Sequence, residues 1–191
     1  ALNAAGWRVE WKEDEYLYAP RDSLSLRGTR MRTFRRHVNA FTSRFDFECE
    51  AYSESHREEC LALLRAWRKT QGRKHRFLLD VGYTKAALDL CGTLPPEDLF
   101  GEVVMVNGRV VAFAFAGRMS EDLANFFVAK ADPALDGLSY FLRWRMFRRL
   151  SEYGRVNDAG DLGHPGLAQF KRSLRPVEML PVFRARRVSI E

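Results

Sequence analysis

Between Asn157 and Pro176 the chain reads NDAGDLGHPGLAQFKRSLRP, which places an asparagine and two aspartates ahead of Lys171, Arg172 and Arg175. A carboxylate in hydrogen-bond reach of an amine or hydroxyl can take its proton as it attacks a carbonyl. Lysine and arginine can then hold phosphate or stabilise the charge that develops. On that chemistry Asp161 is the candidate general base or anchor for a substrate ammonium, with Asn157 and Lys171 as the other catalytic candidates. Arg172 and Arg175 are candidate anion contacts. A plainer arrangement uses the same residues: Asp161 caps a helix opening at Pro165, and Lys171 is a surface charge.

Other chemistries find little support. His37, His56, His75 and His164 are scattered and lack metal-ligand spacing. Ser139 stands in no Gly-x-Ser-x-Gly turn. Cys49, Cys60 and Cys91 are odd in number and form no CxxC, the usage of a cytoplasmic protein with free thiols.

The elements that must position these groups follow from periodicity. Residues 7–19 alternate as two short strands around an acidic turn, closed by Pro20 and Asp22. From Thr29, Met31, Phe34, Val38 and Phe41 recur at helical spacing, with Arg32, Arg35 and Arg36 on the opposite face. RFDFECEAY reads as a strand. Ser55 with Glu58 forms a capping box for a helix to about Lys69, which buries Cys60, Leu64 and Trp67. GRKHRF interrupts, and TKAALDLC gives a short helix. Strands are predicted over 99–106, 109–117 and 123–131, the first two joined by the hairpin signal Asn107-Gly108. A largely apolar helix over 137–152, a short strand RVND, a helix over 165–174 and a last strand EMLPVFRARRV complete the chain. From Arg44 the order is β-α-α-β-β-β-α-β-α-β, a mixed-sheet α/β domain over 45–191, preceded by a β-β-α connector over 1–44. Asn157, Asp158 and Asp161 then follow a short central strand, where open α/β sheets place their ligands.

The chain has 191 residues, 46% of them hydrophobic, and carries 31 Lys+Arg against 25 Asp+Glu, a net +6. That length accommodates one sizeable core. No apolar run approaches the roughly 18 residues of a membrane helix, and the start lacks the layout of a signal peptide. The basic residues gather at Arg30–Arg36, at Arg143–Arg149 and over Lys171–Arg187. Such fields attract nucleic acid, anionic membrane or phosphorylated molecules.

The segments VVMVNGRVVAFAFAGRMSEDLANFFVAKADPALDGLSYFLRWRMF and RVNDAGDLGHPGLAQFKRSLRPVEMLPVFRAR, with YLYAPRDSLSLRGTRMRTFRRHVNAF ahead of them, resemble the C-terminal domain of phosphatidylglycerol lysyltransferases. Asn157, Asp161, Gly163, Gly166, Leu167, Lys171, Ser173 and Pro176 fill that family's pattern. Tyr16, Tyr18, Leu24, Gly28, His37 and Phe41 keep its N-terminal rhythm. The resemblance implies a GNAT-like fold and transfer of an acyl group, most readily aminoacyl from aminoacyl-tRNA, onto a lipid head group, a peptide or a small metabolite. Arg32, Arg35 and Arg36 would meet the tRNA backbone or an anionic head group. The setting would be cytoplasmic, with docking at the inner membrane surface.

In such folds the loop Lys130–Gly137 and the helix after it would hold a phosphate-bearing donor, making Lys130 and Gly137 candidate contacts. Asp136 and the single Gly137 depart from the acyl-CoA loop, and Asp136 has a plainer use as the helix cap. Acyl-CoA as donor and a non-catalytic basic binding module remain the alternatives. Relatives usually carry two GNAT-like halves, so a preceding half is an expected partner.

Overall fold

The computed structural model describes residues 6–71 and 81–187. Seven strands form one sheet: β1 (Trp7–Tyr18), β2 (Phe47–Ala51), β3 (Phe100–Val106), β4 (Arg109–Arg118), β5 (Leu123–Ala131), β6 (Arg155–Asn157) and β7 (Glu178–Arg187). Among the described residues five α-helices accompany them: α1 (Arg32–Thr42), α2 (Arg57–Gln71), α3 (Val81–Leu90), α4 (Leu138–Arg149) and α5 (Pro165–Ser173). The order expected from Arg44 onward is the order observed.

The sheet runs β2-β3-β4-β5-β6-β1-β7. All its pairings are antiparallel except β5 with β6. The fold is GNAT-like. One core lies where α1 and α4 cover a face of the sheet, around Phe34, Phe41, Phe141 and Phe147. A second lies under α2 and α3 on the other face, around Leu64, Leu88, Phe113 and Phe115.

Three local expectations change. The acidic stretch Lys12–Glu15 does not turn; β1 is one strand of twelve residues, with a register shift between Trp11 and Glu13. The stretch offers no Gly, Pro or Asn to reverse the chain, and a bulge takes up the irregularity. The Ser55–Glu58 capping box does not form, because Ser55 lies inside a 3-10 turn over Glu54–His56. There the Ser53 backbone N–H donates to His56 Nδ1 at 3.1 Å. Asp136 does not cap α4: the N-cap is Gly137, and Asp136 pairs with Arg44 at 3.3 Å. The expected interruption at residues 72–77 lies outside the described residues.

The segment expected as a connector is woven into the sheet. β1 inserts between β6 and β7, and α1 lies against α4. At Gly137, with φ +81°, an added Cβ would stand 2.1 Å from the His37 backbone oxygen. The glycine therefore serves a close approach of α1 to the start of α4.

Candidate active site

The sheet opens where β5 and β6 part. These parallel strands pair only over Leu123–Asn125 and Arg155–Asn157, and β5 continues to Ala131 after β6 has ended. β1 closes the other side of β6, pairing Leu17 with Asn157 and Tyr18 with Val156. Strand alternation then sorts the functional groups. Tyr16 and Asp158 turn to the face of α4 and α5, and Glu15 and Asn157 to the face of α3.

On the α5 face, Asp158 is buried between two cations. Arg143 donates to both its carboxylate oxygens, at 3.2 and 3.3 Å, and Lys171 Nζ lies 3.7 Å from Oδ1. Lys171 also donates to the backbone oxygens of Asp158 and Ala159, and its own carbonyl accepts the Tyr18 hydroxyl at 2.9 Å. It is not the surface charge of the plainer arrangement: only 4% of it is exposed. Burial holds its ammonium below the ordinary lysine value, against the pull of Asp158. Lys171 therefore fixes the loop after β6 from beneath.

Asp161 stands above this knot. Its Oδ2 accepts the Tyr16 hydroxyl at 2.5 Å and its Oδ1 the Gly163 backbone N–H at 2.9 Å. It does not cap α5; His164 does, its Nδ1 accepting from the Leu167 N–H at 3.2 Å, with Pro165 following at the first turn. Burial first, then donation to Asp161, pushes the Tyr16 phenol up to about 12, so it remains a donor at neutral pH. Tyr16, Asp161 and Arg172 line a cleft of about 490 Å³ with Trp11, Asp14 and Met179. Glu13 closes the cleft floor: its Oε2 is buried without a hydrogen bond, and an added Cβ at Gly160 would lie 1.9 Å from it. A carboxylate held on two sides at a cleft wall, beside a guanidinium, can accept a proton from a nucleophile.

Asn157, expected beside Asp161, faces the opposite way. Its Nδ2 donates to Glu15 Oε2 at 2.6 Å, and its Oδ1 accepts the Ala159 N–H at 2.8 Å. Both ends of the amide are engaged, so Asn157 positions its neighbours.

The phosphate candidates scatter. Gly137 is covered by α1. Lys130 lies on the α2 face, 4.4 Å over the Trp67 ring, where only 5% of it is exposed. Arg35 donates to the Leu26 and Gly28 carbonyls at 2.5 and 3.1 Å, and Arg175 to the Arg30 carbonyl at 3.0 Å. Both therefore brace loops. Arg32 and Arg36 are exposed on α1, and only Arg172 reaches the cleft. Of the second basic cluster, Arg143 serves Asp158, while Arg145 and Arg149 both pair with the buried Glu102. The thiols are poor nucleophiles: burial raises Cys49 to about 11 and Cys60 to about 12. Among the described residues no helix is long and apolar enough to cross a membrane.

Glu13, Glu15 and Arg143 are site residues that sequence reasoning missed, and Tyr16 stood there only as part of the family's N-terminal rhythm, with no role in the site. Their signal is faint: Glu13, Glu15 and Tyr16 sit in a stretch that reads as a charged turn, and Arg143 in one that reads as a surface cluster.

The sequence profile of the family described as phosphatidylglycerol lysyltransferase, C-terminal, matches residues 1–186. The chain belongs to this family. No curated protein matches this member in sequence. Among solved structures, a conserved protein of unknown function from Bacteroides thetaiotaomicron VPI-5482 is 27% identical and superposes with a TM-score of 0.82, covering 94% of this chain and 62% of that one. L-PGS from Bacillus licheniformis is 17% identical with a TM-score of 0.67, covering 97% and 63%. FemX is 13% identical with a TM-score of 0.65, covering 90% and 63%. The latter two likenesses show the fold. This member spans less than two thirds of the length of each of these chains.

Proposed function

We propose that this chain carries the transfer site of an acyltransferase that moves an aminoacyl group from aminoacyl-tRNA onto an amine or hydroxyl. Acceptors of that chemistry include a lipid head group, a peptide end and a small metabolite. The observation that carries the reading is Asp161, held by Tyr16 and the Gly163 N–H at the wall of a cleft that also contains Arg172. Asp161 takes the proton of the attacking amine or hydroxyl as the new bond to the aminoacyl carbonyl forms. The ester bond to the ribose then breaks, and the departing oxygen receives that proton. Arg172 meets phosphate or the developing oxyanion. Exposed Arg32 and Arg36 on α1 offer further backbone contacts to a tRNA, and a further GNAT-like half, where present, is a natural partner.

Acyl-CoA is the weaker donor. A pyrophosphate at the start of α4 would need free N–H groups there, and α1 packs on that point.

The test combines transfer from labelled aminoacyl-tRNA with thermal shifts by tRNA and by CoA. The wild type should be stabilised by tRNA, and Asp161→Asn should lower transfer by about 10²–10⁴-fold while leaving tRNA stabilisation intact. Stabilisation by CoA with none by tRNA would overturn the donor. An unchanged rate in Asp161→Asn would overturn the base, and tRNA binding without any transfer would leave a binding module.

A further inference from the structure

β1 pairs with β6 only through Leu17 and Tyr18; over residues 7–14 its strand partner among the described residues is β7. The two strands thus leave the body of the sheet as a ribbon. Successive side chains along a strand point to opposite faces, so the paired rungs sort into two sets. One face carries Trp7 with Arg187, Val9 with Ala185, Trp11 with Phe183 and Asp14 with Pro181, and runs on to Tyr16 with Met179 at the Asp161 cleft. The register shift after Trp11 keeps Asp14 on this face, where its Oδ1 accepts the Trp11 Nε1–H at 3.1 Å. The reverse face carries Arg8, Glu10, Arg184 and Arg186. An antiparallel pair with one apolar and one charged face ordinarily lays the apolar one on a core. Here that face is open. Trp11 is 62% exposed and Phe183 58%, and Trp7 and Met179 are exposed beside them. Single exposed apolar side chains need no explanation, but four on one face of a ribbon mark an interaction surface.

The order of the rungs says what lies on it. From the tip of the ribbon inward come a basic rung (Arg187), a small one (Val9 and Ala185), a large one (Trp11 and Phe183) and an acidic one (Asp14). A two-fold axis crossing the ribbon at position 184 exchanges the first rung with the fourth and the second with the third. A second copy laid face to face about that axis sets each large aromatic rung against a small one. It also sets each Arg187 against the rung of Asp14. Two-fold interfaces are self-complementary in this way. Sheets pack face to face at about 10 Å with their strands nearly aligned, a gap that Trp and Phe fill and Arg spans. A lipid surface makes no use of such a pairing of sizes, and it would meet the carboxylate of Asp14.

We infer that the apolar face of the β1–β7 ribbon is a dimer interface, occupied by the same face of a second copy of this chain. Trp11 and Phe183 are its central anchors, and Asp14 with Arg187 of the second copy fixes its register. The second copy then walls the open side of the Asp161 cleft, because the contact ends next to Tyr16 and Met179. The association rests on the ribbon alone and holds whether or not the cleft transfers an acyl group.

The experiment is sedimentation equilibrium of the full chain across a wide range of concentration. The wild type should pass from the mass of one chain to the mass of two. Trp11→Ala and Phe183→Lys, both at exposed positions that the fold tolerates, should each weaken self-association by about tenfold or more. Asp14→Arg and Arg187→Asp should each weaken it by about tenfold, since each sets like charges against one another. Combined in one chain, the two exchanged charges should restore it to within a few-fold of the wild type. A wild type of single-chain mass at every concentration overturns the inference. If that monomer also binds vesicles of phosphatidylglycerol and phosphatidylcholine, and Trp11→Ala abolishes the binding, the face belongs to a lipid surface instead. A dimer indifferent to Trp11→Ala and Phe183→Lys has its interface elsewhere and overturns the inference as well. Failure of the exchanged pair to recover would overturn the two-fold arrangement about position 184.

Discussion

Two places in this molecule bring a left-handed glycine to the start of a helix, and they have opposite fates. At Gly137, φ +81°, the backbone of α1 fills the space a ligand would use. At Gly163, φ +70°, nothing lies within 4 Å of an added Cβ, and the loop carries Asp161 into an open cleft. The charges beneath the two regions differ as well. Glu102 is buried and pairs with the partly exposed Arg145 and Arg149, and none of the three lines the Asp161 cleft. Asp158, with Arg143 and Lys171, sits directly under the loop that holds Asp161. A glycine before a helix is thus a packing device in one place and part of a site in the other, and what approaches the loop from elsewhere in the chain decides which.

The largest expected effect lies under the open loop. Lys171→Met leaves Asp158 with Arg143 alone and removes the donor to two backbone carbonyls. The loss should be about 3 kcal/mol in denaturant unfolding. A loss under about 1 kcal/mol would show that Arg143 suffices to neutralise Asp158, and the strand-end site would not depend on its buried lysine. Next comes the pair of glycines. Gly137→Ala should cost about 2–3 kcal/mol, since backbone must move as well as adopt a strained φ. Gly163→Ala should cost about 1 kcal/mol for its conformation alone. Equal costs at the two positions would erase the contrast between the closed and the open loop.

Much of this was legible in the sequence, and the failures have a common cause. Helical spacing marked α1, the Asn107-Gly108 turn marked the β3–β4 hairpin, and the alternation of residues 123–131 marked β5, because each signal is local. Asp161 and Lys171 were visible as chemistry, yet only the fold shows Lys171 buried and Asn157 turned to the other face. Glu15, and the partnership of Tyr16 with Asp161, were hidden because β1 pairs with strands more than a hundred residues away. An acidic tetrapeptide with no long-range partner in view reads as a turn. Arginines spaced along one apolar helix read as a surface field until their buried carboxylates arrive from β3 and the loop after β6.

The smallest effect tests how α1 closes the start of α4. His37, whose carbonyl faces Gly137, stacks its ring on Tyr140 at 4.2 Å between centroids. Burial first, and Arg36 second, lower its pKa from the ordinary 6.5, against the opposing pull of Asp136. The unfolded chain therefore takes up a proton at a pH where the folded one does not. Stability should fall as pH drops below that ordinary value and level off once the folded imidazole titrates. His37→Gln should flatten this acid limb, with a change in unfolding midpoint smaller than either glycine substitution produces, while binding at the Asp161 cleft keeps its pH profile. If the acid limb survives in His37→Gln, the titrating group lies elsewhere, and the closure of α4 rests on the backbone contact at Gly137 with no contribution from the imidazole.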